Sequence, residues 1–440
     1  MAVGEASSTE PGASPFPPTP RTPAVPGARP EGGRRPVRLA TSVVAPILSL
    51  LGLAVAASAT IVFLAGSPAG ARPSTPAPSA SLGGGVASDD PGAPAASPTV
   101  APQSAEAFTQ PPQEQTPANG VILFVKDGNI WAASGTELTR LSSQGLDSSP
   151  AWSPDGTSIY FLERRVTEAR VPYQGDEGPY TLDYRVLMKM RADGSDRRAI
   201  HDPLFPLGGD ERRQYFSWLL QPDVSPDGTT IALVSDAPNP FGGDVTLSLI
   251  PTGGGEVRNL GLARNPPLGH TDPAWSPDGS SIVYTLQERV NGIGDPVPRL
   301  MIHDPAVGRT SELGGERLSE AAWSPDGRFL VAVRSGNAGR DLVVLNATDG
   351  TEVARLTRDG GSFAPVWSPD GTQIAYLRAE GGTIDLHLLT LGGPGIFTVT
   401  DDRAVTRGSR LDGRSQPAWY GPRPDAPTPR PIPESSGSPP

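Results

Sequence analysis

The sequence predicts an all-β protein whose main domain, residues 119–421, is a six-bladed β-propeller of four-stranded antiparallel blades. Three observations favour this fold class. A Ser-Pro-Asp-Gly string recurs along this part of the chain, and a short apolar run follows each copy. The copies recur at intervals close to the roughly 40–50 residues of a propeller blade. The chain is also rich in turn-forming residues, with 52 Gly and 52 Pro among 440 residues.

Each copy of the string predicts the turn between the first two strands of a blade. Pro presets φ at the first corner, Asp accepts nearby N–H groups, and Gly takes the positive φ. A large side chain precedes five copies of the turn or its truncated form, and we expect it to fill the wedge between blades rather than bind a ligand. The equivalent positions are Trp152, Val224, Trp275, Trp323, Trp367 and Trp419, at intervals of 72, 51, 48, 44 and 52 residues.

The two ends of the repeat region predict how the ring closes. Residues Val121–Val125 and Asn129–Trp131 look like the second and third strands of a blade with no first strand before them. Residues Pro417–Tyr420 look like a first strand without the rest of its blade. Pairing the two segments completes a sixth blade and removes two open sheet edges.

The sequence outside residues 119–421 predicts a membrane-anchored protein. Residues 1–38 are Pro-rich and without apolar periodicity, which predicts a disordered leader. Residues 39–64 contain no charge and are long enough for one transmembrane helix. Residues 65–118 form a Pro/Ala/Ser-rich linker, and residues 422–440 form a disordered Pro-rich tail.

The charges around the apolar segment predict its orientation in a cell membrane. Arg34, Arg35 and Arg38 precede the segment, which places the leader in the cytoplasm and the propeller outside. The alternative is a cleaved signal peptide, for which Ala69–Ala71 offers a cleavage motif. A cleaved signal normally has an apolar core about half as long, so we favour the anchor.

The composition excludes several classes of function. The chain has no cysteine, which removes disulfide scaffolds and thiol chemistry, and only four histidines. Its net charge of −11 argues against a nucleic-acid partner, which needs a basic field. We therefore expect no cofactor.

The Trp-Ser-Pro-Asp-Gly repeat with its following Ile-Ala-Tyr-like strand resembles the TolB-type propeller family, whose repeats are WD-like. The resemblance covers residues 119–421. It implies a platform that binds proteins or peptides, although some family members carry the propeller in front of a prolyl oligopeptidase-type domain. TolB itself is a soluble periplasmic protein with an additional N-terminal domain, so the Tol–Pal role is not transferred to this chain.

The sequence predicts that the protein is not an enzyme. A peptidase of the family type needs a Gly-x-Ser-x-Gly elbow, and this motif does not occur in the chain. We also expect no hydrolase domain in the 19 residues after Gly421. A metal-dependent lactonase-like site remains an alternative, since Asp272 and Glu320 come from adjacent blades, with His270 and Asp147 nearby. Half of the ring is not acidic, which favours a structural role for these residues.

Two groups of residues are candidates for partner binding. The first group lies at the entry to the innermost strands, where side chains from all blades converge at one mouth of the channel, and includes His270 on a surface loop. It consists of Asp147, Ser149, His270, Asp272, Glu320, Arg414 and Gln416. The second group lies in two long loops near Thr167–Leu182 and His201–Leu220, which are rich in aromatic residues. It consists of Tyr173, Tyr180, Arg212, Tyr215 and Trp218.

These features together predict a non-catalytic binding or scaffold protein of the cell envelope. Its expected partner is an envelope protein, a peptide or a cell-wall component. A sensor for a small molecule or carbohydrate is the first alternative, and a metal-dependent hydrolase that uses the channel mouth is the second. For the aromatic loops, contact with a partner and burial against the propeller remain equally open interpretations.

Overall fold

The computed structural model describes residues 119–421 except 172–178, 242–243, 263–268 and 289–294. The predicted leader, transmembrane helix, linker and C-terminal tail lie outside the described residues and stay predictions. Within the part of the chain that is described, no helix is long and apolar enough to cross a membrane.

Six antiparallel sheets form the six blades of the predicted propeller, and five of them contain four strands in simple order. Blade 1 consists of β1 (Val121–Lys126), β2 (Asn129–Ser134), β3 (Glu137–Arg140) and β26 (Ala418–Tyr420). Blade 2 consists of β4 (Asp147–Trp152), β5 (Ser158–Arg170), β6 (Pro179–Arg191) and β7 (Arg198–His201), extended by β8 (Leu204–Leu207) and β9 (Asp210–Phe216). Blade 3 consists of β10 (Leu220–Val224), β11 (Thr230–Ser235), β12 (Thr246–Pro251) and β13 (Arg258–Asn259).

Blades 4 to 6 repeat the same plan with shorter connections. Blade 4 consists of β14 (His270–Trp275), β15 (Ile282–Glu288), β16 (Val297–Asp304) and β17 (Arg309–Glu316). Blade 5 consists of β18 (Leu318–Trp323), β19 (Phe329–Gly336), β20 (Gly339–Asn346) and β21 (Glu352–Arg355). Blade 6 consists of β22 (Ser362–Trp367), β23 (Gln373–Glu380), β24 (Thr383–Gly393) and β25 (Ile396–Ala404).

The last strand of the chain completes the first blade, as the sequence predicts. Trp419 of β26 pairs with Ile122 of β1, and the indole Nε1 of Trp419 donates to the carbonyl oxygen of Asn119 at 2.8 Å. Gly120 has a φ of +99°, and a Cβ at this position would collide with the carbonyl oxygen of Tyr420. The ring is therefore closed by residues from both ends of the repeat region.

The second and third strands of each blade form the core because they are apolar on both faces. In β11, for example, the side chains of Ile231, Ala232, Leu233 and Val234 are all buried. Both faces of each sheet pack against a neighbouring blade, which explains why these strands lack the alternation of a half-exposed strand. The outermost strands are largely exposed, as in β3 and β21.

The Ser-Pro-Asp-Gly strings form the predicted turns, and their aspartates are bonded within them. In the first copy, Ser153 Oγ donates to Asp155 Oδ1 at 2.6 Å and the N–H of Thr157 donates to the same oxygen at 3.0 Å. The hydrogen bond from Ser153 is the main cause that lowers the pKa of Asp155. Gly156 takes a φ of +67°. These carboxylates stabilise turns.

The strand order defines two faces of the propeller. The turns between first and second strands and between third and fourth strands lie on one face, which we call the turn face. The connections between second and third strands, and from each blade to the next, lie on the other, the loop face. The N-terminal ends of the innermost strands are on the loop face, and so are the insertions of blades 2 and 3.

Blade 2 accounts for the interval of 72 residues between Trp152 and Val224, which is the longest of the five. Half of the predicted loop at Thr167–Leu182 is instead a continuation of β5 and β6, each of which has 13 residues. The segment His201–Leu220 contains the hairpin of β8 and β9, and Arg213 of β9 bridges to Arg170 at the end of β5. The extra residues therefore extend a sheet outward on the loop face.

Candidate recognition surface

The innermost strand of five blades contains a β-bulge three residues before its Trp-type position. In blade 2, the register between β4 and β5 shifts between Ser148 and Ala151. One residue in each bulge is left-handed without being glycine, with φ between 49° and 54°. These residues are Ser149, Gln221, Asp272, Glu320 and Ala364. All but Glu320 precede a proline. Proline has no N–H to donate to a neighbouring strand, and it is tolerated at a bulge because the regular hydrogen bonding is interrupted there.

The bulges place polar side chains where they bond to the next blade. The N–H of Asp272 donates to Gln221 Oε1 at 2.9 Å, and Gln221 Nε2 donates in return to Asp272 Oδ1. The N–H of Ala364 donates to Glu320 Oε2 at 2.7 Å. These contacts join blade 3 to blade 4 and blade 5 to blade 6. At each bulge, one backbone N–H has no partner in its own sheet, and a side chain of the neighbouring blade accepts it.

The closing segment makes the same kind of bond. The N–H of Ser149 donates to Ser415 Oγ at 3.0 Å, and Gln416 Nε2 donates to the carbonyl oxygen of Pro365 at 2.8 Å. Arg414 is exposed beside them, and its N–H donates to Asp412 Oδ1 at 3.1 Å. The structure thus brings the predicted rim residues together, but their polar atoms are largely engaged with one another.

Two carboxyl groups of this ring, Asp272 and Glu320, are held close together. Burial raises the pKa of both groups, and the charge of Asp272 raises that of Glu320 further. Arg340 Nη1 lies 3.6 Å from Glu320 Oε1 and opposes this shift. Among the described residues, no group of three or more His, Asp or Glu side chains converges in a way that could hold a metal ion.

Asp147 is bonded inside blade 2 and does not face the channel mouth as a free carboxylate. Its two oxygens accept hydrogen bonds from Arg197 at 2.9 and 2.5 Å, and Arg197 also lies 2.5 Å from Glu163 Oε2. The guanidinium group stacks 4.5 Å above the ring centre of Phe161. This buried network joins the innermost, second and outer strands of the blade.

His270 is fully buried, in contrast to the surface loop position that the sequence predicts. Its Nδ1 accepts the N–H of Leu247 at 3.0 Å, and its ring packs against that of Tyr284 at 4.6 Å. Leu247 belongs to β12, so His270 joins blade 4 to blade 3. The neighbouring blade buries this residue, and no local sequence pattern indicates such a contact.

The predicted aromatic residues of blade 2 form a continuous cluster on the loop face. Phe216 is buried at its centre, 5.6 Å from Tyr184, 5.3 Å from Tyr215 and 5.1 Å from Trp218 between ring centres. Tyr180 is half-buried against the same core. Part of the cluster is therefore internal packing, as one of the two open interpretations expects. Tyr173 lies outside the described residues.

An exposed residue of blade 3 completes this cluster, and the sequence analysis missed it. Phe241 lies in the connection between β11 and β12, with 60% of its surface exposed. Its ring centre is 4.7 Å from that of Tyr215, which also contacts Phe205 at 6.5 Å. The contact crosses two blades. Its only sequence signal is an isolated phenylalanine in a Pro-rich segment.

A buried carboxyl group lies beneath the cluster and holds Trp218 in place. Asp236 Oδ1 accepts the N–H of Trp218 at 2.8 Å, and Asp236 is 7% exposed. Burial, with a further contribution from the charge of Asp244, raises the pKa of Asp236 to about 6. This carboxyl group therefore titrates near neutral pH at the base of the insertion.

Comparisons with known proteins match this chain only in part, and no family model matches. The chain is 30% identical over 137 residues to the "Uncharacterized peptidase YuxL" of Bacillus subtilis, which is 31% of this chain and 17% of that protein. It is 31% identical over 156 residues to dipeptidyl-peptidase 5 of Trichophyton schoenleinii, 31% of this chain and 21% of that protein. The chain thus spans about a fifth of the length of these curated relatives.

The solved structures that are similar to this chain include two TolB proteins. TolB from Acinetobacter baumannii has a TM-score of 0.48 and 16% identity, covering 69% of this chain and 67% of that one. A protein described as TolB from Agrobacterium tumefaciens has the same TM-score and identity, covering 71% and 96%. The strand order of the blades defines the fold of this chain independently of these similarities.

The prediction that the protein is not an enzyme is corrected by these comparisons. Several curated proteins to which part of this chain is similar are named as peptidases. The sequence argument failed because it inferred the absence of an activity from a missing catalytic motif and a missing hydrolase domain. A propeller repeat has no catalytic motif of its own and occurs in proteins of many activities.

Proposed function

We propose that the propeller recognises a peptide or protein segment on its loop face, and that blades 2 and 3 provide the contact surface. Membrane attachment through residues 39–64 and a spacer of residues 65–118 would present this surface outside the cytoplasm. The predicted orientation from Arg34, Arg35 and Arg38 supports this location.

The observation that carries the proposal is the exposed aromatic ring of Phe241 above a buried aromatic cluster. Exposed aromatic residues held by packing lose little freedom when they bind, and such residues often dominate protein interfaces. The residues around the channel mouth, in contrast, bond mainly to neighbouring blades. Binding there would have to displace existing hydrogen bonds, whereas the ring of Phe241 is already exposed.

A photo-cross-linking experiment in intact cells tests this proposal. A benzophenone amino acid replaces Phe241 on the loop face and, as the matched control, Val307 on the turn face, which is 66% exposed. We expect the first position to cross-link to one reproducible protein, identified by mass spectrometry, and the second position not to do so. Equal cross-linking from both positions, or none from Phe241, would contradict the proposal.

A second candidate function is participation in peptide hydrolysis. The peptidase names of the partly matching relatives favour it. Both candidates require peptide binding, but only this one requires cleavage. Incubation of the full chain with a defined peptide library, followed by mass spectrometry of new termini, separates them. New termini that are absent from a heat-denatured control support hydrolysis, and an unchanged library rejects it for the chain on its own.

A further inference from the structure

We infer that blade 2 carries a phosphate-binding site at the turn-face end of its third strand, where Lys189, Arg191 and Arg198 line one cavity. The site lies on the opposite face of the propeller from Phe241 and does not depend on the proposed function. Its ligand is a phosphate group, either the free ion or part of a small phosphate ester.

The register of blade 2 places the three cationic side chains on one side of the sheet. Lys189 of β6 lies directly opposite Tyr160 of β5 and Arg198 of β7. Residues paired in this way share a side of the sheet, and so do residues two apart on one strand, which puts Arg191 on the same side as Lys189. The cavity that they border has a volume of about 290 Å³. Its other lining residues are Thr157, Ser158, Met190 and Asp196.

The opposition of Lys189 and Arg198 is unfavourable in the absence of an anion, because like charges directly opposite each other destabilise a sheet. Lys189 is half-buried, and its Nζ lies 4.9 Å from the ring centre of the buried Tyr160, which holds the ammonium group in place. Among the described residues, neither Lys189 nor Arg191 forms an ion pair with a carboxylate. An anion bound in the cavity would remove the repulsion and supply the missing partner.

The nearby carboxylates reduce the positive charge of the site but do not cancel it. Among the described residues that line the cavity, Asp196 is the one carboxylate, and its Oδ2 lies 3.3 Å from Arg198 Nη1. Both side chains of this pair are more than half exposed, so the pair is weak. Asp193 and Asp155 belong to the adjoining turns, where Asp193 Oδ1 accepts the N–H of Ser195 at 2.9 Å and Asp155 accepts hydrogen bonds within its own turn. Three cations and one carboxylate therefore give the lining a net charge of +2.

The composition of the lining favours phosphate over a carboxylate ligand. A carboxylate has two oxygens, which a single arginine satisfies with two parallel hydrogen bonds. A phosphate group has more negative charge near neutral pH and three acceptor oxygens, so it can bond to several cationic donors at once. The hydroxyl group of Ser158 adds a further donor, since its Oγ makes only a long contact of 3.5 Å with Thr157 Oγ1 among the described residues.

Isothermal titration calorimetry with the full chain tests the inference. The ligands are inorganic phosphate, glycerol phosphate and, as a dicarboxylate of similar charge, malonate, each titrated at the same ionic strength set with sodium chloride. We expect one site for a phosphate compound and an affinity for malonate that is about tenfold lower. Stronger binding of glycerol phosphate than of inorganic phosphate identifies an ester as the ligand, and equal or weaker binding identifies the free ion. Because the cations are partly exposed, affinity should fall as the ionic strength rises.

Substitutions in the protein assign the binding to the cavity. We expect Lys189→Gln and Arg191→Gln each to weaken phosphate binding about tenfold, since a hydrogen bond to a charged group contributes about this much. Asp196→Asn should strengthen it about threefold, because it removes the carboxylate from the lining. The matched control is Lys126→Gln, which changes the second of the two lysines, on the loop face, with its Nζ 5.9 Å from the ring centre of Trp131. It should leave affinity within twofold, and circular dichroism melting curves verify that all four variants are folded.

Three results would overturn the inference: no binding of either phosphate compound, equal binding of malonate, or an equal loss of affinity in Lys126→Gln and Lys189→Gln. Weaker binding by a folded Asp196→Asn variant would also contradict it, because the charge of Asp196 opposes an anion in this cavity. Cross-linking from Phe241 on the other face is unaffected by any of these results, so the proposed function is tested separately.

Discussion

Blade 5 and blade 2 share the same four-stranded plan but differ in what extends beyond it. In blade 5, two residues connect β19 to β20, and β18 begins two residues after β17 ends. In blade 2, β5 and β6 continue for 13 residues each, and an additional hairpin follows β7. Blade 5 has short connections on the loop face, whereas the aromatic residues of blade 2 extend the core that it shares with blade 1 toward that face.

The difference separates residues that hold the ring together from residues that are available to a partner. The ring depends on repeated turns, bulges and buried strands, all of which recur in several blades. The extension of blade 2 has no counterpart in blade 5, and its exposed residues are not needed to close the ring. Substitutions in the ring should therefore lower stability, while substitution of the exposed Phe241 should affect binding alone.

The largest expected effect is the loss of ring closure. Trp419 is 7% exposed, packs within the core of blades 1 and 6, and donates to Asn119. We expect Trp419→Ala to lower the free energy of unfolding by about 3–5 kcal/mol, because it leaves a large cavity where the chain ends meet. Urea denaturation followed by tryptophan fluorescence and circular dichroism measures this change.

Phe241→Ala is the matched control for this prediction, because it also removes an aromatic ring but from an exposed position. We expect it to change stability by less than about 0.5 kcal/mol. If Trp419→Ala were as mild as Phe241→Ala, the closure of the ring by β26 would be wrong.

The second effect concerns the buried ion pairs of blade 2. We expect Arg197→Met to lower the free energy of unfolding by about 3 kcal/mol, since it leaves Asp147 buried without its cation and removes one of the two arginines that pair with Glu163. The adjacent Arg198 pairs with Asp196 at the surface, and Arg198→Met should change stability by less than about 0.5 kcal/mol. Equal effects of the two substitutions in thermal or urea denaturation would contradict the network.

The third effect is a dependence of stability on pH at the base of the insertion. Burial raises the pKa of Asp236 to about 6, above its ordinary value of 3.8, so the folded state holds this proton more tightly than the unfolded state. This contribution is fully present below pH 3.8 and is lost as pH rises to about 6. The difference corresponds to about 3 kcal/mol at most.

The variant Asp236→Asn removes this titration and can still accept the N–H of Trp218. We therefore expect it to be more stable than the wild type at pH 7.5 by about 2 kcal/mol, and nearly equal to it at pH 4. Asp193→Asn, at an exposed turn of the opposite face, serves as the control for the general effect of charge. A difference between wild type and Asp236→Asn that did not change with pH would contradict this account.

The smallest effect concerns the bonds between bulges around the channel. Gln221→Ala removes the acceptor for the N–H of Asp272 and should lower the free energy of unfolding by about 1–2 kcal/mol. It should leave partner binding at Phe241 unchanged. If Gln221→Ala instead abolished binding without loss of stability, the channel mouth would be the recognition site. The residues of the ring, rather than the extension of blade 2, would then contact the partner.

Much of the ring could be predicted from the sequence, because the features that build it are local and repeated. The Ser-Pro-Asp-Gly turns, the apolar strands after them, and the missing first strand before Val121 each left a pattern in a short stretch of residues. The closure by Trp419 followed from one unpaired strand at each end. Ser149, Asp272 and Glu320 were expected at the entry to the innermost strands, but the bulges in which they lie and their left-handed conformation were not predicted.

The contacts between blades could not be predicted in this way. The burial of His270 depends on Leu247 of another blade, and the exposed patch depends on Phe241 meeting Tyr215 from a different insertion. Such contacts follow from how sheets are arranged around the axis, and a single sequence contains no periodic signal for them. The enzyme prediction failed for a related reason, since the repeat pattern determines the fold and not the activity.

The most direct test of the central claim is hydrogen–deuterium exchange of the full chain, alone and bound to the partner that cross-links to Phe241. We predict slower exchange on binding in residues 203–217 and 236–241, and unchanged exchange in residues 336–339 of blade 5 and in its bulge, residues 319–322. Protection confined to the bulges around the channel, with none in blades 2 and 3, would contradict it.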